Sequence, residues 1–410
     1  MDDVRGQVGA LMNGGWRGAT GAMLACLCLT LASCATPTLR AAVPQQLADK
    51  AQVVGLSGEY IRFWGDEPPK NFAAMVRKME KQRRGQVALG AKPPRTVSLL
   101  VISGGGSDGA FGAGLLNGWT QSGKRPKFAV VTGVSTGALM APFAFLGSRY
   151  DHILKEFYTK HSTKDIIRPT VLAGLIGGGS AVGSSEPLAK LIEKYLTPAI
   201  MREIAAEHLK GRRLLVGTTN LDAERPVTWD LGEIAVLGNR RALQLMRRIL
   251  LASAAIPGVF PPVLIDVSVA GKRRQEMHVD GGTTDNAILV PVQTNVRTAE
   301  RTRKGGPRYR LYIIVNSHTD PQWKNVKSST VDIAGRSIAT LIKQQTIGDV
   351  LKLYDFARKN KIRFNLATVP KSFNEKRKEA FDRAYMTKLF KVGETLGKAG
   401  YKWRKTPPVR

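Results

Sequence analysis

The sequence predicts an α/β domain whose mostly parallel central sheet is flanked by helices. Three observations carry this. From Thr96 onward, apolar runs of strand length alternate with helical patterns. The first run, Val97-Ser-Leu-Leu-Val-Ile-Ser103, is apolar almost throughout, as a strand buried on both faces must be. A second run, Phe128 to Thr132, feeds Gly133-Val134-Ser135-Thr136-Gly137 and then helix formers, which reads as strand, tight turn and helix. In open sheets of this kind the active site lies at the carboxyl ends of the strands.

Further strand-like runs fall at Leu214 to Thr218, Val263 to Val269 and Leu311 to Val315. Helical patterns cover Gly112 to Trp119, Pro187 to Leu196, Met201 to Lys210 and Arg240 to Ser253. The chain of 410 residues suits one large domain with extensions, or two domains. With 43% hydrophobic and 23% charged residues it can build a sizeable core, which argues against wholesale disorder.

The ends read differently. Arg17 precedes an apolar run, Ala22 to Leu31, followed by Ala32-Ser33-Cys34. That is the layout of a signal peptide, too short to span a bilayer comfortably. Leu31-Ala32-Ser33-Cys34 resembles the bacterial lipobox, which implies lipidation of Cys34 as the mature N-terminus. Asp2 and Asp3 are out of place in such a leader, so Met12 is an alternative start. Of the three cysteines, Cys26 and Cys28 would leave with the leader, so no thiol remains for a disulfide or a cysteine metal site. Ala35, rather than aspartate, implies the outer membrane by the same resemblance. Residues 34–95 read as an N-terminal extension, 96–320 as the catalytic domain and 321–410 as a basic, helical C-terminal extension. Arg77 to Arg84 reads as a short exposed helix.

The net charge is +30, and the acids and bases of residues 1–33 cancel, so the mature chain keeps all of it. Such a balance suits an anionic surface, and a tethered envelope protein meets lipid more readily than nucleic acid. A solvated basic surface is the plain alternative. Phe381, Tyr385, Leu389, Val392 and Leu396 fall on one face of a C-terminal helix, either packed on the core or docked on a membrane. The glycine-rich stretch from Val171 to Gly183 is either a flap or a packed loop.

The chemistry centres on Ser135. In Gly133-x-Ser135-x-Gly137 the serine occupies a strained turn, and the flanking glycines keep Cβ atoms away from backbone and substrate. The helix that follows points its N-terminal amides at developing negative charge. Pro142 should kink that helix or leave an acceptor unpaired. Ser103-Gly104-Gly105-Gly106-Ser107-Asp108-Gly109 follows the first strand. It contains G-x-G-x-x-G, but the next strand carries Ser135 rather than the acid a dinucleotide site wants. Its amides read better as an oxyanion hole, with Asp108 as N-cap of the next helix. The base for Ser135 comes either from the five histidines or from Asp280 in His278-Val-Asp-Gly-Gly282. An aspartate serves only if partly desolvated.

Together these motifs resemble the patatin-like phospholipase family, relatives of plant patatin and cytosolic phospholipase A2. The glycine-rich run, Gly133 to Gly137, Ala252-Ser253-Ala254-Ala255-Ile256-Pro257 and Asp280-Gly281-Gly282 match its four motifs in order. They cover about half the chain, from Thr96 to Val292. The resemblance implies the family's three-layer fold. It also implies a Ser135–Asp280 dyad that hydrolyses lipid acyl esters through an acyl-enzyme, without metal or cofactor. Gly104, Gly105 and Gly106 are the implied oxyanion donors, with Gly109, Gly133, Gly137, Gly281 and Gly282 as motif glycines. Phospholipid or another acyl ester is the implied substrate. The family usually has Arg or Lys where this chain has Asp108, so only backbone donors are implied there, and Asp108 should point away. Two rival readings remain: a Ser135–Asp280–His318 triad of the α/β-hydrolase type, and a non-catalytic basic lipoprotein that binds anionic lipid.

Cys34→Ser should move the protein from the membrane fraction to the soluble one. An unmodified N-terminus elsewhere, read by intact mass, would contradict the lipidation reading.

Overall fold

The computed structural model describes residues 40–56, 60–69, 71–169, 181, 183–289 and 307–408. The leader, Cys34 and nearly all of the 171–183 stretch lie outside them. Besides a short separate pair, Arg168–Pro169 with Gly183–Ser184, the strands are β1 (Gln52–Val53), β2 (Arg62–Trp64), β3 (Thr96–Ile102), β4 (Phe128–Val134), β5 (Arg213–Asn220), β6 (Arg225–Asp230), β7 (Val263–Val269), β8 (Lys272–Asp280), β9 (Arg308–Val315) and β10 (Arg363–Thr368). All ten join one sheet. Its parallel centre runs β5-β4-β3-β9-β10. On the far side the pairing is antiparallel: β5 with β6 and β8, β8 with β7, β7 with β1 and β6 with β2. The run at Val263–Val269 is therefore a strand, but one arm of a hairpin. Only its alternate residues are buried, as an antiparallel strand with one covered face requires.

The main helices are α1 (Phe72–Ala88), α2 (Gly109–Gln121), α3 (Thr136–Leu146), α4 (Asp151–Lys160), α5 (Glu186–Tyr195), α6 (Pro198–Leu209), α7 (Arg240–Ser253), α8 (Thr330–Lys359) and α9 (Arg383–Lys398). The strand period sorts them into layers. Leu100 and Ile102 of β3, with Tyr312 and Ile314 of β9, pack with α2, α3 and α9. Val101, Leu311, Ile313 and Val315 point the other way, onto Val350, Leu353 and Phe356 of α8. The fold is thus three-layered, helices on both faces of a sheet whose centre is parallel. Pro142 lies inside α3 without ending it. Residues outside 96–320 take part: β1 and β2 extend the sheet at one side, β10 at the other, and α9 packs on α2.

That last contact settles the C-terminal helix as a core element. Tyr385, Leu389 and Phe390 are buried, and Phe381, Val392 and Leu396 pack against the same cluster. The two helices approach so closely that backbone meets backbone. A Cβ on Gly114 would stand 2.0 Å from the Phe390 carbonyl oxygen, and one on Gly118 2.0 Å from that of Glu394. Gly393 and Gly397 face Phe111 and Leu115 in the same way. Because α2 begins at the glycine-rich loop, this interface fixes the height of that loop above the sheet.

Gly118→Ala should therefore destabilise the protein by about 1–3 kcal/mol, overriding the helix preference for alanine. Gly335→Ala is the control, since a methyl there meets nothing within 4 Å. It should stabilise by about 0.5–1 kcal/mol. Urea midpoints compare the two directly.

Candidate active site

The site is assembled by strand register. On one edge β5 pairs with β6. Its other edge is shared. β4 runs parallel along it, up to Val134 opposite Gly217, and β8 comes from the opposite direction, ending with Asp280 opposite Thr218. The carboxyl ends of β4 and β8 therefore point at each other. Ser135 follows one and Asp280 closes the other.

Ser135 has φ 54° and ψ −126°, a left-handed strain that the turn imposes on a non-glycine residue. The flanking glycines are needed for space. A Cβ at Gly133 would lie 2.3 Å from the Gly137 carbonyl oxygen, and one at Gly137 2.3 Å from that of Ile102. The Ala252–Pro257 block, whose role the sequence left unstated, holds both halves together. The Ser135 N–H donates to Ser253 Oγ at 3.0 Å, and Ser253 Oγ donates to the Gly217 carbonyl at 2.6 Å. Two residues on, the Ala255 carbonyl accepts the Asp280 N–H at 2.9 Å.

The Asp280 carboxyl is buried, 3% exposed. Its Oδ1 accepts from the Gly282 N–H at 2.8 Å, and Oδ2 has no hydrogen-bond partner. Burial pushes its pKa up to about 7, against smaller downward pulls from Ser135 and the Gly282 amide. Ser135 is thus the side chain that bears on this carboxyl, at a geometry short of a full hydrogen bond, as is common before substrate binds.

The histidines lie elsewhere. His278 is fully buried, with Nδ1 on Thr218 Oγ1 at 3.0 Å and Nε2 on Glu276 at 3.1 Å. Burial lowers its pKa. Burial would raise Glu276, but His278 and Arg62 bring it down to about 2. His278 belongs to a structural ion cluster. His318 is half-buried, its pKa lowered by burial, and the charges acting on it are those of Asp108, Lys343, Asp320 and Arg377. The structure does not bring it to Ser135 or Asp280.

The glycine-rich loop departs from expectation in two ways. The Gly104 N–H already donates to Asn286, to Oδ1 at 3.1 Å and to the carbonyl at 3.3 Å. It is not free for an oxyanion, which leaves Gly105 and Gly106. Gly105 has φ 155° and its Cα lies so close to Asn316 that a Cβ would overlap the carbonyl oxygen at 1.9 Å. Gly106 lines the pocket beside Ser135. Asp108 precedes α2 but makes no side-chain cap. Its carboxylate instead accepts from the Tyr385 hydroxyl on α9 at 2.7 Å, which turns it away from the loop amides. Arg377 Nη1 donates to Ser107 Oγ at 2.8 Å and stands 3.7 Å from Asp108. A guanidinium thus reaches the loop from the C-terminal segment although position 108 is acidic.

Sequence reading missed Asn286, Arg377 and Asn316. Asn286 donates Nδ2 to Thr346 on α8 at 2.6 Å while its own N–H reaches Asp349 at 2.7 Å. It ties the glycine loop, the stretch after Asp280 and α8 into one joint. Asn316 does the same for β3 and α2, through the Ser103 carbonyl at 2.8 Å and the Gly112 N–H at 3.1 Å. Only the proximity of Asn286 to the Asp-Gly-Gly run was visible in sequence.

Beside Ser135 opens an apolar pocket. Leu139, Phe157, Ile166, Leu188, Ile256 and Phe260 line it, and Phe381 and Met386 close it from the C-terminal segment. A serine at a strained strand-to-helix turn, a buried carboxyl and a greasy pocket lie together at the carboxyl ends of the strands, an arrangement suited to ester hydrolysis.

The comparisons then give the family. Residues 100–294 match the model of the patatin-like phospholipase family, so the chain carries a patatin-like phospholipase domain, the mark of an esterase or phospholipase. Among solved structures it is similar to VipD from Legionella pneumophila, with 14% identity over 75% of this chain and 67% of that one, at a TM-score of 0.35. It is also similar to a human GIVD cytosolic phospholipase A2, with 9% identity, 78% and 53% coverage and a TM-score of 0.31. The type III effector protein ExoU follows with 11% identity, 77% and 56% coverage and a TM-score of 0.20. The chain spans about half the length of the latter two. No curated protein matches it significantly.

The raised pKa of Asp280 has a stability signature. The folded state holds this proton up to about pH 7, whereas the unfolded carboxyl releases it near its ordinary value of 3.8. The group's stabilisation is complete below the lower value and is lost as pH rises through the upper one. The Tm of Asp280→Asn relative to wild type should therefore climb between pH 4 and pH 7 and then level off. A difference independent of pH would contradict this.

Proposed function

We propose that this protein hydrolyses lipid acyl esters by a two-residue mechanism, in the manner of a phospholipase A or lysophospholipase, at an envelope membrane to which Cys34 tethers it. The acyl end of the ester meets the apolar residues beside Ser135, which presents the ester carbonyl to its hydroxyl. Ser135 Oγ attacks the carbonyl carbon while its proton passes to Asp280. The oxyanion forms against the amides of Gly105 and Gly106, with the α3 dipole behind them. Asp280 then returns the proton to the departing alcohol, which leaves an acyl-serine. Water, deprotonated by the same carboxylate, hydrolyses that ester and frees the acid. The scheme calls on no metal or cofactor.

The observation that carries this reading is the buried carboxyl with an unpartnered oxygen and a pKa near 7, on which Ser135 is the side chain that bears. An ordinary aspartate is too weak a base for a serine; one matched to neutral pH is not. The Ser-Asp-His alternative loses its support because the charges that act on His318 belong to a different cluster. The purely binding alternative leaves both the strain at Ser135 and the carboxyl without a purpose.

The test is acyl transfer from a short p-nitrophenyl ester by three variants. Ser135→Ala and Asp280→Asn should each fall by roughly a thousandfold or more, because such residues act as a unit. His318→Gln should stay within a few-fold of wild type. Wild-type kcat/KM should rise with pH through about 7 as Asp280 ionises. A folded, inactive His318→Gln would overturn the dyad.

A further inference from the structure

Helix α8 is longer than the sheet it covers. Its 30 residues, Thr330–Lys359, extend about 45 Å at 1.5 Å per residue. The strands it packs on, β9 with 8 residues and β10 with 6, extend roughly 27 Å and 20 Å. Packing accordingly begins late. Thr346 is the first buried residue of the helix, and Asp349, Val350, Leu353 and Phe356 follow. The first 16 residues overhang. The direction of the overhang is fixed by topology: α8 returns the chain from the carboxyl end of β9 to the amino end of the parallel β10. Its free half therefore stands at the carboxyl ends of the parallel strands, where Ser135 lies.

That half has two unlike faces. Ala334, Ile338 and Leu341, at i, i+4 and i+7, lie on one side, and Ile333 stands about 100° round the helix from Ala334, on the flank towards Arg336. Ile333 is 52% and Leu341 69% exposed. On the other side, Arg336 and Lys343 clasp the preceding segment through the carbonyls of Gln322 and Asp320. Lys371 adds an ion pair to Asp320 at 2.9 Å, and Ser329 caps the helix. The segment so held presents Trp323, 91% exposed, between Gln322 and Lys324, with Lys327 further on. Of the nine most exposed large hydrophobics among the described residues, three lie between 320 and 345: Trp323, Ile333 and Leu341. Isolated apolar residues on a surface need no explanation, but several within one segment and the helix end that follows it do.

We propose that residues 320–345 are the surface by which this protein sits on a bilayer of anionic phospholipid. The apolar face of α8 and Trp323 enter the headgroup region, and Lys324 and Lys327 meet the phosphates. The composition fits: an exposed amphipathic helix with basic residues on its polar side, an interfacial tryptophan and a chain charged +30. The placement fits as well, since this end of α8 stands on the side of the sheet where the parallel strands end and Ser135 follows β4. α9, whose periodicity also suggested a membrane face, is fully engaged with α2. The proposal rests on the lipid-ester reading for its purpose but not for its test.

The test is sedimentation with vesicles of phosphatidylglycerol and phosphatidylethanolamine, using the full chain with Cys34→Ser so that no acyl anchor contributes. Ile333→Gln with Leu341→Gln keeps good helix formers, and Trp323→Ala is the second variant. Each should weaken partition at least tenfold while hydrolysis of a soluble p-nitrophenyl ester stays unchanged. Binding should also fall steeply in 0.5 M salt and on phosphatidylcholine alone. Undiminished partition of both variants would overturn the proposal. So would a concentration-dependent dimer that the variants abolish, because the face would then cover a second copy. Vesicle binding by a protein inactive on every ester would leave this surface standing and sink the proposed function. Ester hydrolysis without vesicle binding would do the reverse.

Discussion

One edge of β5 decides the chemistry of this molecule. Two strands share it, β4 from one direction and β8 from the other, and their carboxyl ends meet between Gly217 and Thr218. A turn after β4 must lift Ser135 out of the sheet at that point. A turn after β8 must do the same for the residues following Asp280. Both turns crowd the same small volume, which is why glycines surround it. A Cβ on Gly281 would come within 2.6 Å of the Gly217 carbonyl oxygen. Ser253 stitches the arrangement, one hydroxyl joining the Ser135 amide to the Gly217 carbonyl. Residues separated by more than a hundred positions are thereby fixed to each other through backbone atoms, which cannot swing away as side chains can.

The same crowding tunes the acid. A site tight enough to exclude a Cβ also excludes water, and exclusion of water raises the Asp280 pKa to about 7. Geometry and electrostatics are one effect here rather than two. The apolar pocket extends it: Leu139, Phe157 and Phe260 keep the reacting ester dry, where amides and a helix dipole act on developing charge more strongly than in water. The supports of the glycine loop come from far along the chain. Asn286 holds Gly104 and is itself held by α8, and Tyr385 turns Asp108 aside.

Local pattern revealed what depends on local pattern. The largely buried strands β3, β4, β5 and β9 were legible as apolar runs, and α7 was legible to the residue. The turn at Ser135 was legible because three spaced residues carry its sterics. β6 and β10 were not: Arg225-Pro-Val-Thr-Trp-Asp230 and Arg363-Phe-Asn-Leu-Ala-Thr368 mix polar and apolar residues, and only their partners make them strands. α8 escaped notice because its first half buries no side chain fully among the described residues, which dilutes its periodicity. The oxyanion donors were legible as a class but not individually. Whether Gly104 is free depends on Asn286, 182 residues away. The Arg377 contact to Ser107 spans 270 positions and leaves no local trace.

The account turns on the protonation of one carboxyl, and that is directly measurable. Protein labelled with 13C at the aspartate carboxyl carbons can be titrated by NMR, with Asp280→Asn identifying the resonance. A midpoint near pH 7 is expected for Asp280, moved upward by burial. An Asp280 resonance fully ionised at pH 5 would contradict it, since such a carboxylate would be too weak a base to activate Ser135.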